Sequence, residues 1–367
     1  MGISQWNSWC NSSNKKEFKS ISTWVYIAGL KMSQEVHTQV MPNHQALAAW
    51  EVPQTKKSLI YLLSTLVPLI LSLAGYAHIN HGNGIFKLLF VIVSGCFFWR
   101  LFVIFHDLVH GNYFKNVFVN NTLGWLTGVI LFTPFKFWKK DHLLHHATTG
   151  NLDRRGYGEI KTLTVAEFQT LSKYQKFNYQ IYRNPVFLFV VAPLLLFLFR
   201  HRVAWRNWNN EKMSIHSTNL GIMFVAATII FLWGWQAYVF GYLVSLYLGF
   251  CIVAWFFYVQ HHFENTYYAT ANSWRYTQGA LQGSSFYKLP KMINAFTINI
   301  GYHHIHHFNS RIPSYNLQEV FKRFPVFQNS PTLTIKTSIA CIHANLWDTQ
   351  KNKMVSFQSL NPVSEVH

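Results

Sequence analysis

Acidic residues are scarce in this chain: 13 Asp and Glu stand against 31 Lys and Arg in 367 residues. Charge of either sign is thin, 12% against roughly 25% in an ordinary globular domain. That thinness, with 17% aromatic residues, excludes a disordered chain and a repeat of small polar units. Cysteine is limited to Cys10, Cys96, Cys251 and Cys341, far apart and without a CxxC pair. A disulfide framework and a zinc knuckle are excluded with it, and Cys96 and Cys251 read as fillers of apolar runs. There is no haem-binding HPGG and no GxGxxG fingerprint, so a built-in haem, flavin or nicotinamide site is not expected. The net charge of +18 calls for an anionic surface, either nucleic acid or lipid headgroups.

Long uncharged runs decide for lipid and against nucleic acid. No charge occurs between Ser58 and Lys87. Ser58 to Ile79 is long enough to cross ~30 Å of hydrocarbon. The Gly82-Asn83-Gly84 turn separates it from a second run, Ile85 to Phe105, where Lys87 and Arg100 are expected to snorkel from the ends. From Met213 to Phe263 no residue carries a formal charge. Two spans fit there, 217–235 and 237–258, with an interfacial turn at Trp233-Gly234-Trp235-Gln236. Two shorter runs, 117–135 and 184–199, contain Asn, Gly or Pro and read as re-entrant or interface-lying helices. The expectation is an all-α integral membrane protein. Four transmembrane helices form two hairpins, with interfacial helices and a cytosolic helical cap. Residues 1–45 read as a cytosolic tail and 46–367 as a single domain. The apolar patch Trp24 to Leu30 is too short for a cleavable signal peptide, and Met32 is an alternative start. Four crossings put the N-terminus, residues 106–216 and everything after 259 on one side. The many Lys and Arg in 136–212 make that side cytosolic. The same basic loop would also suit an anionic headgroup or an acidic protein partner. Thr164 and Glu167 have the spacing of a capping box.

The 19 histidines are clustered. His106 and His110 lie four residues apart, on one face of a helix. His142, His145 and His146 combine spacings of three and four, and His303, His306 and His307 repeat that pattern. His261 and His262 are expected just past the fourth span. A lone HxxxH on a helix is usually incidental. Three such boxes and a fourth group, all on one predicted side near helix ends, are not. Eight or nine converging imidazoles exceed the three or four of a single zinc site and suffice for two metals. Neutral imidazoles beside lipid, with few thiols and carboxylates, point to iron and O2 chemistry on a hydrophobic substrate. His37, His44, His78, His81, His201, His216, His343 and His367 read as surface or interfacial residues.

Over residues 40–360 the chain resembles the membrane fatty acid desaturases, specifically the bacterial acyl-lipid omega-6 (Δ12-type) branch. The segments that carry the resemblance are HDLVHGNYF (106–114), DHLLHHATTGNLDRRGYGEI (141–160), FYVQHHFENTYY (257–268), GSSFYKLPK (283–291) and NIGYHHIHHFNSRIPSYNL (299–317). The resemblance implies a di-iron centre on the cytosolic face, O2 as co-substrate and a lipid-linked acyl substrate. It implies a separate electron donor, ferredoxin or cytochrome b5-like, with its reductase, and in a bacterium the cytoplasmic (inner) membrane. It implies His106, His110, His142, His145, His146, His261, His303, His306 and His307 as iron ligands. Asp107 reads as an outer partner that orients an imidazole. His304 is one residue off the ligand face. In this branch QHQFEHT is expected, whereas Gln260-His261-His262-Phe263-Glu264-Asn265-Thr266 stands here. Asn265, four residues after His261, is expected on the same helix face, where it would hold a metal-bound water. The alternative is that His262 serves as a ligand. Acyl hydroxylases and other di-iron lipid oxygenases share such boxes. A histidine-rich metal transporter would carry its ligands nearer mid-membrane.

Overall fold

The computed structural model describes residues 41–79, 83–203 and 209–360. Most of the N-terminal tail, Met32, Cys10, His37, His81 and His367 lie outside the described residues. The helices are α1 (His44–Glu51), α2 (Thr55–His78), α3 (Gly84–His110), α4 (Val117–Ile130), α5 (Phe135–Thr148), α6 (Val165–Thr170), α7 (Lys173–Tyr182), α8 (Phe187–Arg200), α9 (Asn209–Gln236) and α10 (Val244–His261). The cap adds α11 (Tyr276–Leu281), α12 (Lys291–Phe296), α13 (His303–Phe308) and α14 (Leu317–Arg323). The chain is a mostly helical protein of the membrane type. Thr55–His78, Gly84–His110 and Glu211–His261 are long and apolar enough to cross a membrane, and counting two bent helix pairs raises three spans to five.

Uncharged sequence makes these helices, and small residues join them. α3 is central, packed on α2 at one side and α10 at the other. At its crossing with α10 the backbones touch. A Cβ on Gly249 would sit 2.9 Å from both the Gly95 carbonyl oxygen and the Phe98 Cβ. Glycine at such a crossing lets two helices approach more closely than any side chain permits. On the outer face of α2, Leu59, Ile60, Leu63, Val67, Ile70 and Leu71 are exposed, as an apolar belt requires.

The sequence-expected break at Trp233-Gly234-Trp235 is present. Gly234 has φ 83° and ψ 165°, a conformation open to glycine, and a π-helical turn Ala237–Leu243 leads into α10. The chain doubles back there. Val129 meets Gly221, and the Tyr242 hydroxyl donates to the neighbouring Ile130 carbonyl at 2.6 Å. A straight helix would hold residues 221 and 242 about 31 Å apart.

The two ambiguous runs are bent. α4 and α5 meet at 102°, and α7 and α8 at 58°. The first bend is tight because Gly124 faces the Phe135 ring and Gly128 faces the Thr133 carbonyl. α8 buries Leu188, Pro193 and Phe197 and exposes Val190, Leu194, Leu198 and Phe199. Thr164 and Glu167 form the expected reciprocal cap of α6.

Arg100 departs from expectation. It does not snorkel from a helix end, because α3 continues ten residues beyond it to His110. It is buried. Its Nε donates to the Thr65 hydroxyl at 2.8 Å, and one terminal nitrogen donates to the carbonyls of Ala295 and Phe296 at the end of α12.

The cap is pinned by two small sheets. β2 (Phe286–Lys288) and β3 (Thr332–Thr334) pair in parallel, and β1 (Leu163–Thr164), β4 (Leu346–Asp348) and β5 (Lys353–Val355) form the order β1-β4-β5. Its own core contains Leu47, Tyr302, Ile305, Ile312, Leu317, Val320 and Phe327.

Candidate metal centre

Each histidine box sits in a last helical turn, or in a helix of its own, that points inward. α3 runs through His106 and stops after His110, where Gly111 takes φ 73° and its N–H closes on the carbonyls of Asp107 and Leu108. α5 carries His142, His145 and His146 in its last two turns. The α10 helix ends on His261 itself, so this residue does not lie past the span as expected. The short α13 begins at His303 and holds His306 and His307.

Nine imidazoles come together from these four helices. The ring nitrogens of His106, His110, His142, His146 and His306 lie within 4.8 Å of one another, and so do those of His145, His261 and His307. His303 joins the second group, its Nε2 3.1 Å from the Nε2 of His261. Further Nε2 pairs face each other at 3.0 Å (His110 and His142), 3.1 Å (His142 and His146; His146 and His306) and 3.2 Å (His145 and His261). His146 and His307 stack at 4.0 Å and link the two groups. The sequence boxes therefore do not map onto one group each. His142 and His146 serve the first group and His145 the second, and His306 and His307 divide the same way.

The chemistry of this donor set fits metal ions. Among the described residues it consists of imidazole nitrogens, with no thiolate or carboxylate in either group. All nine rings are buried or nearly so. Burial holds His303, His306 and His307 well below the usual histidine range, and neighbouring imidazoles push the same way. Neutral rings with free lone pairs are the ligand form. The Nε2 of His106 and both ring nitrogens of His307 have no hydrogen-bond partner among the described residues.

Outer contacts aim the rings. The His261 Nδ1 lies 3.1 Å from the Gly283 carbonyl, which turns its Nε2 toward the centre. Asp107 is fully buried and reaches the His106 Nδ1 at 3.4 Å, as an outer partner should. Its other oxygen accepts from the Ser314 N–H at 2.8 Å and the Ser314 hydroxyl at 2.6 Å. Sequence reasoning missed Ser314, which lies 207 positions away and carries no local signal. Aromatic walls flank the groups. The Trp138 ring stacks on His142 at 4.3 Å, and Phe257 lies 5.1 Å from His145. A small cavity beside the second group is lined by His145, His261, His262, Glu159 and Tyr268 among others. Burial pushes the Glu159 carboxyl up to about 7, against the opposing pull of the Gly156 N–H and of Arg155.

Several other expectations meet the geometry here. His304 stays out of the cluster, its Nε2 on the Phe327 carbonyl at 3.0 Å. Asn265 does not share a helix face with His261, because α10 ends at His261 and the chain turns. Asn265 is exposed in the wall of an outer groove with Pro331 and Lys353. His262 is buried, with its Nε2 3.3 Å from the Ile160 carbonyl and its ring stacked on Tyr258 at 4.7 Å. His44, His78, His216 and His343 are exposed. His201 is not at the surface. It is buried between Phe137 and Phe197, because the end of α8 folds onto α5.

Known proteins are similar in sequence over the segments that hold all nine histidines. The family model described as fatty acid desaturase matches residues 84–333. A protein of Bacillus subtilis named "Fatty acid desaturase" is 39% identical over 322 residues, covering 87% of this chain and 91% of that protein. An "sn-1 acyl-lipid omega-3 desaturase (ferredoxin)" of Synechocystis is 29% identical, covering 63% of this chain and 65% of its own length. An "Omega-6 fatty acid desaturase, chloroplastic" of Brassica napus is 24% identical, covering 71% and 60%.

Proposed function

This chain belongs to the fatty acid desaturase family and is an oxidoreductase, and from that premise we propose that it places a cis double bond in the acyl chain of a membrane lipid. The observation that carries the reading is the convergence of nine imidazoles, buried or nearly so, in two groups, beside helices long and apolar enough to cross a membrane. In this reading His106, His110, His142, His146 and His306 hold one iron, and His145, His261, His303 and His307 hold the other. When bound, the iron pair supplies O2 activation and the removal of hydrogen from unactivated methylenes. The protein supplies position and dryness. Asp107 and the Gly283 carbonyl fix ring orientation, and Trp138 and Phe257 shield the two groups from water.

The reaction balances as a –CH2–CH2– segment, O2, two electrons and two protons giving –CH=CH– and two waters. The electrons are proposed to come from a separate protein, as the resemblance implies. A ferredoxin is the proposed donor, as the name of the Synechocystis relative prints for that protein. The double bond is proposed at Δ12, oleoyl to linoleoyl, the regiochemistry that the resemblance to the omega-6 branch implies. The reversal at Gly234 supports four crossings in two hairpins. The Lys and Arg of 136–212 support the cytosolic side for the histidines, and a bacterial cytoplasmic membrane is part of the same proposal.

The test is the lipid profile of a bacterial host that expresses the chain with a ferredoxin system and is fed oleate. The expected product is a diene two mass units lighter than its precursor, absent with His145→Ala although that variant stays folded in the membrane. A bond at another position corrects the regiochemistry alone. A product heavier by one oxygen makes the enzyme a hydroxylase.

A further inference from the structure

One end of the cap has no part in the metal centre and is shaped for a different contact. β2 and β3 are parallel, with Phe286 opposite Thr332 and Lys288 opposite Thr334, so both chains leave the pair at the same end. Each then enters a short helix that turns apolar side chains outward. After β2, Met292 is 86% exposed and Ile293 37%. After β3, Ile335 is 45% exposed and Ile339 58%. Lys288, Lys291 and Lys336 are exposed among them. Four large apolar side chains and three lysines at one edge are a pattern of interfacial insertion, with apolar groups in the acyl region and ammonium groups snorkelling to phosphate.

Arg100 fixes the level of this edge along the spanning helices. One guanidinium group ties the hydroxyls of Thr65 and Ser64, in α2, to the carbonyls of Ala295 and Phe296 at the end of α12. The Phe296 ring lies 5.5 Å from Phe97 and 5.9 Å from Trp99, both in α3. The uncharged run of α2 begins at Ser58, so Ser64 and Thr65 are about 10 Å inside it along the axis. The same stretch of α2 exposes Ile60, Leu63 and Val67. The end of α12 is therefore held beside apolar helix surface, below the last lysines of α2 at 56 and 57.

We propose that this edge is a foot by which the cap sits in the lipid leaflet. Met292, Ile293, Ile335 and Ile339 enter the acyl region, and Lys288, Lys291 and Lys336 meet lipid phosphates above it. The proposal rests on the reading of α2 and α3 as membrane spans. Its occupant is lipid, because the face continues the apolar belt of α2 and carries cations in a leaflet-like arrangement. The third histidine box begins seven residues after Phe296, so the foot also sets that box at a fixed height over the bilayer.

The experiment uses the full chain with its four cysteines changed to serine and single cysteines at Met292→Cys, Ile335→Cys, Leu63→Cys and Lys161→Cys. Each carries an environment-sensitive fluorophore in vesicles of phosphatidylcholine and phosphatidylglycerol. Quenching by bromine on the lipid acyl chains is compared with quenching by aqueous iodide. The expected result is blue-shifted emission at positions 292 and 335, with lipid quenching several-fold stronger than at 161 and similar to that at 63. Iodide quenching alone at 292 and 335, with lipid quenching kept at 63, overturns the foot and leaves the spans standing. Iodide quenching at 63 overturns the spans, and the foot with them. Blue-shifted emission that neither quencher touches marks a protein partner on this face and overturns the lipid assignment.

Discussion

Asp107 brings a carboxylate into the buried histidine cluster, so its partners decide whether it helps or harms. It is fully buried, and Ser314 gives it two hydrogen bonds, one from the backbone and one from the hydroxyl. Ser314→Ala removes the second. A hydrogen bond to a charged group is worth about 1.5–3 kcal/mol, and outer partners of metal-bound histidines commonly change affinity by about 10-fold or more. The expected outcome is a variant that folds and inserts but holds iron about 10-fold more weakly, read by chelator competition. Asn265→Ala should leave iron content and turnover unchanged, because this side chain faces the outer groove. A loss of iron in Asn265→Ala would return Asn265 to the centre. At this scale the sequence was informative about identity and silent about partition. Spacings of three and four marked eight of the nine imidazoles, the resemblance added His261, and His304 stood one residue off the ligand face. That His145 and His307 leave their neighbours for a second group depends on how α5, α10 and α13 are packed, which no spacing encodes.

Among elements, the segment that follows the second box is held by one ion pair. Arg155 meets Glu167 at 2.9 and 2.5 Å and also donates to the carbonyls of Leu152 and Thr162. The hydrogen bonds from Arg155 hold the Glu167 carboxyl at about 2, below its ordinary 4.5, although partial burial pushes the other way. The folded value is the lower one, so the unfolded chain binds the proton first as pH falls. Stability from this pair is complete above about pH 4.5 and is lost between there and about pH 2. The midpoint of thermal unfolding should fall further in the wild type than in Glu167→Gln as pH drops from about 5 to about 3. Equal losses in both proteins would show that the pair does not hold the segment. The capping box at Thr164 and the break at Trp233-Gly234-Trp235 were legible because local chemistry specifies them. Gly, Asn and Pro marked 117–135 and 184–199 as something other than plain crossings, but not the bends that join them to α5 and α7. The burial of Arg100 was not, since its acceptors come from α2 and from residues 195 positions or more away.

At the scale of the whole molecule, the proposed topology puts every histidine box on one side of the membrane. Single cysteines at Lys161→Cys and Arg311→Cys, both exposed, should react with a membrane-impermeant reagent from the cytosolic face. Cysteines at Ile85→Cys and Trp235→Cys, beside the two hairpin turns, should react only from the other face. Reaction of 161 and 311 from opposite sides would separate the second box from the third and remove the common centre. The class of protein was plain from the missing charge, while three helices, or up to five with the bent pairs, are long and apolar enough to cross where four spans were expected. The sheets that pin the cap were not, because strands of two or three residues carry too little pattern to be read.

The glycine contact between α3 and α10 works as a fulcrum. Gly95 lies eleven residues before His106, and Gly249 lies twelve before His261, so each helix is a lever about 17 Å long above the pivot. One lever ends in the five-imidazole group and the other in the smaller one. A change of one degree in the crossing angle would shift the two groups by about 0.3 Å relative to each other. Side chains at the pivot could compress or change rotamer as the bilayer thickens or melts. Two backbones in contact cannot, so the spacing of the two levers at the pivot is set by main-chain atoms alone.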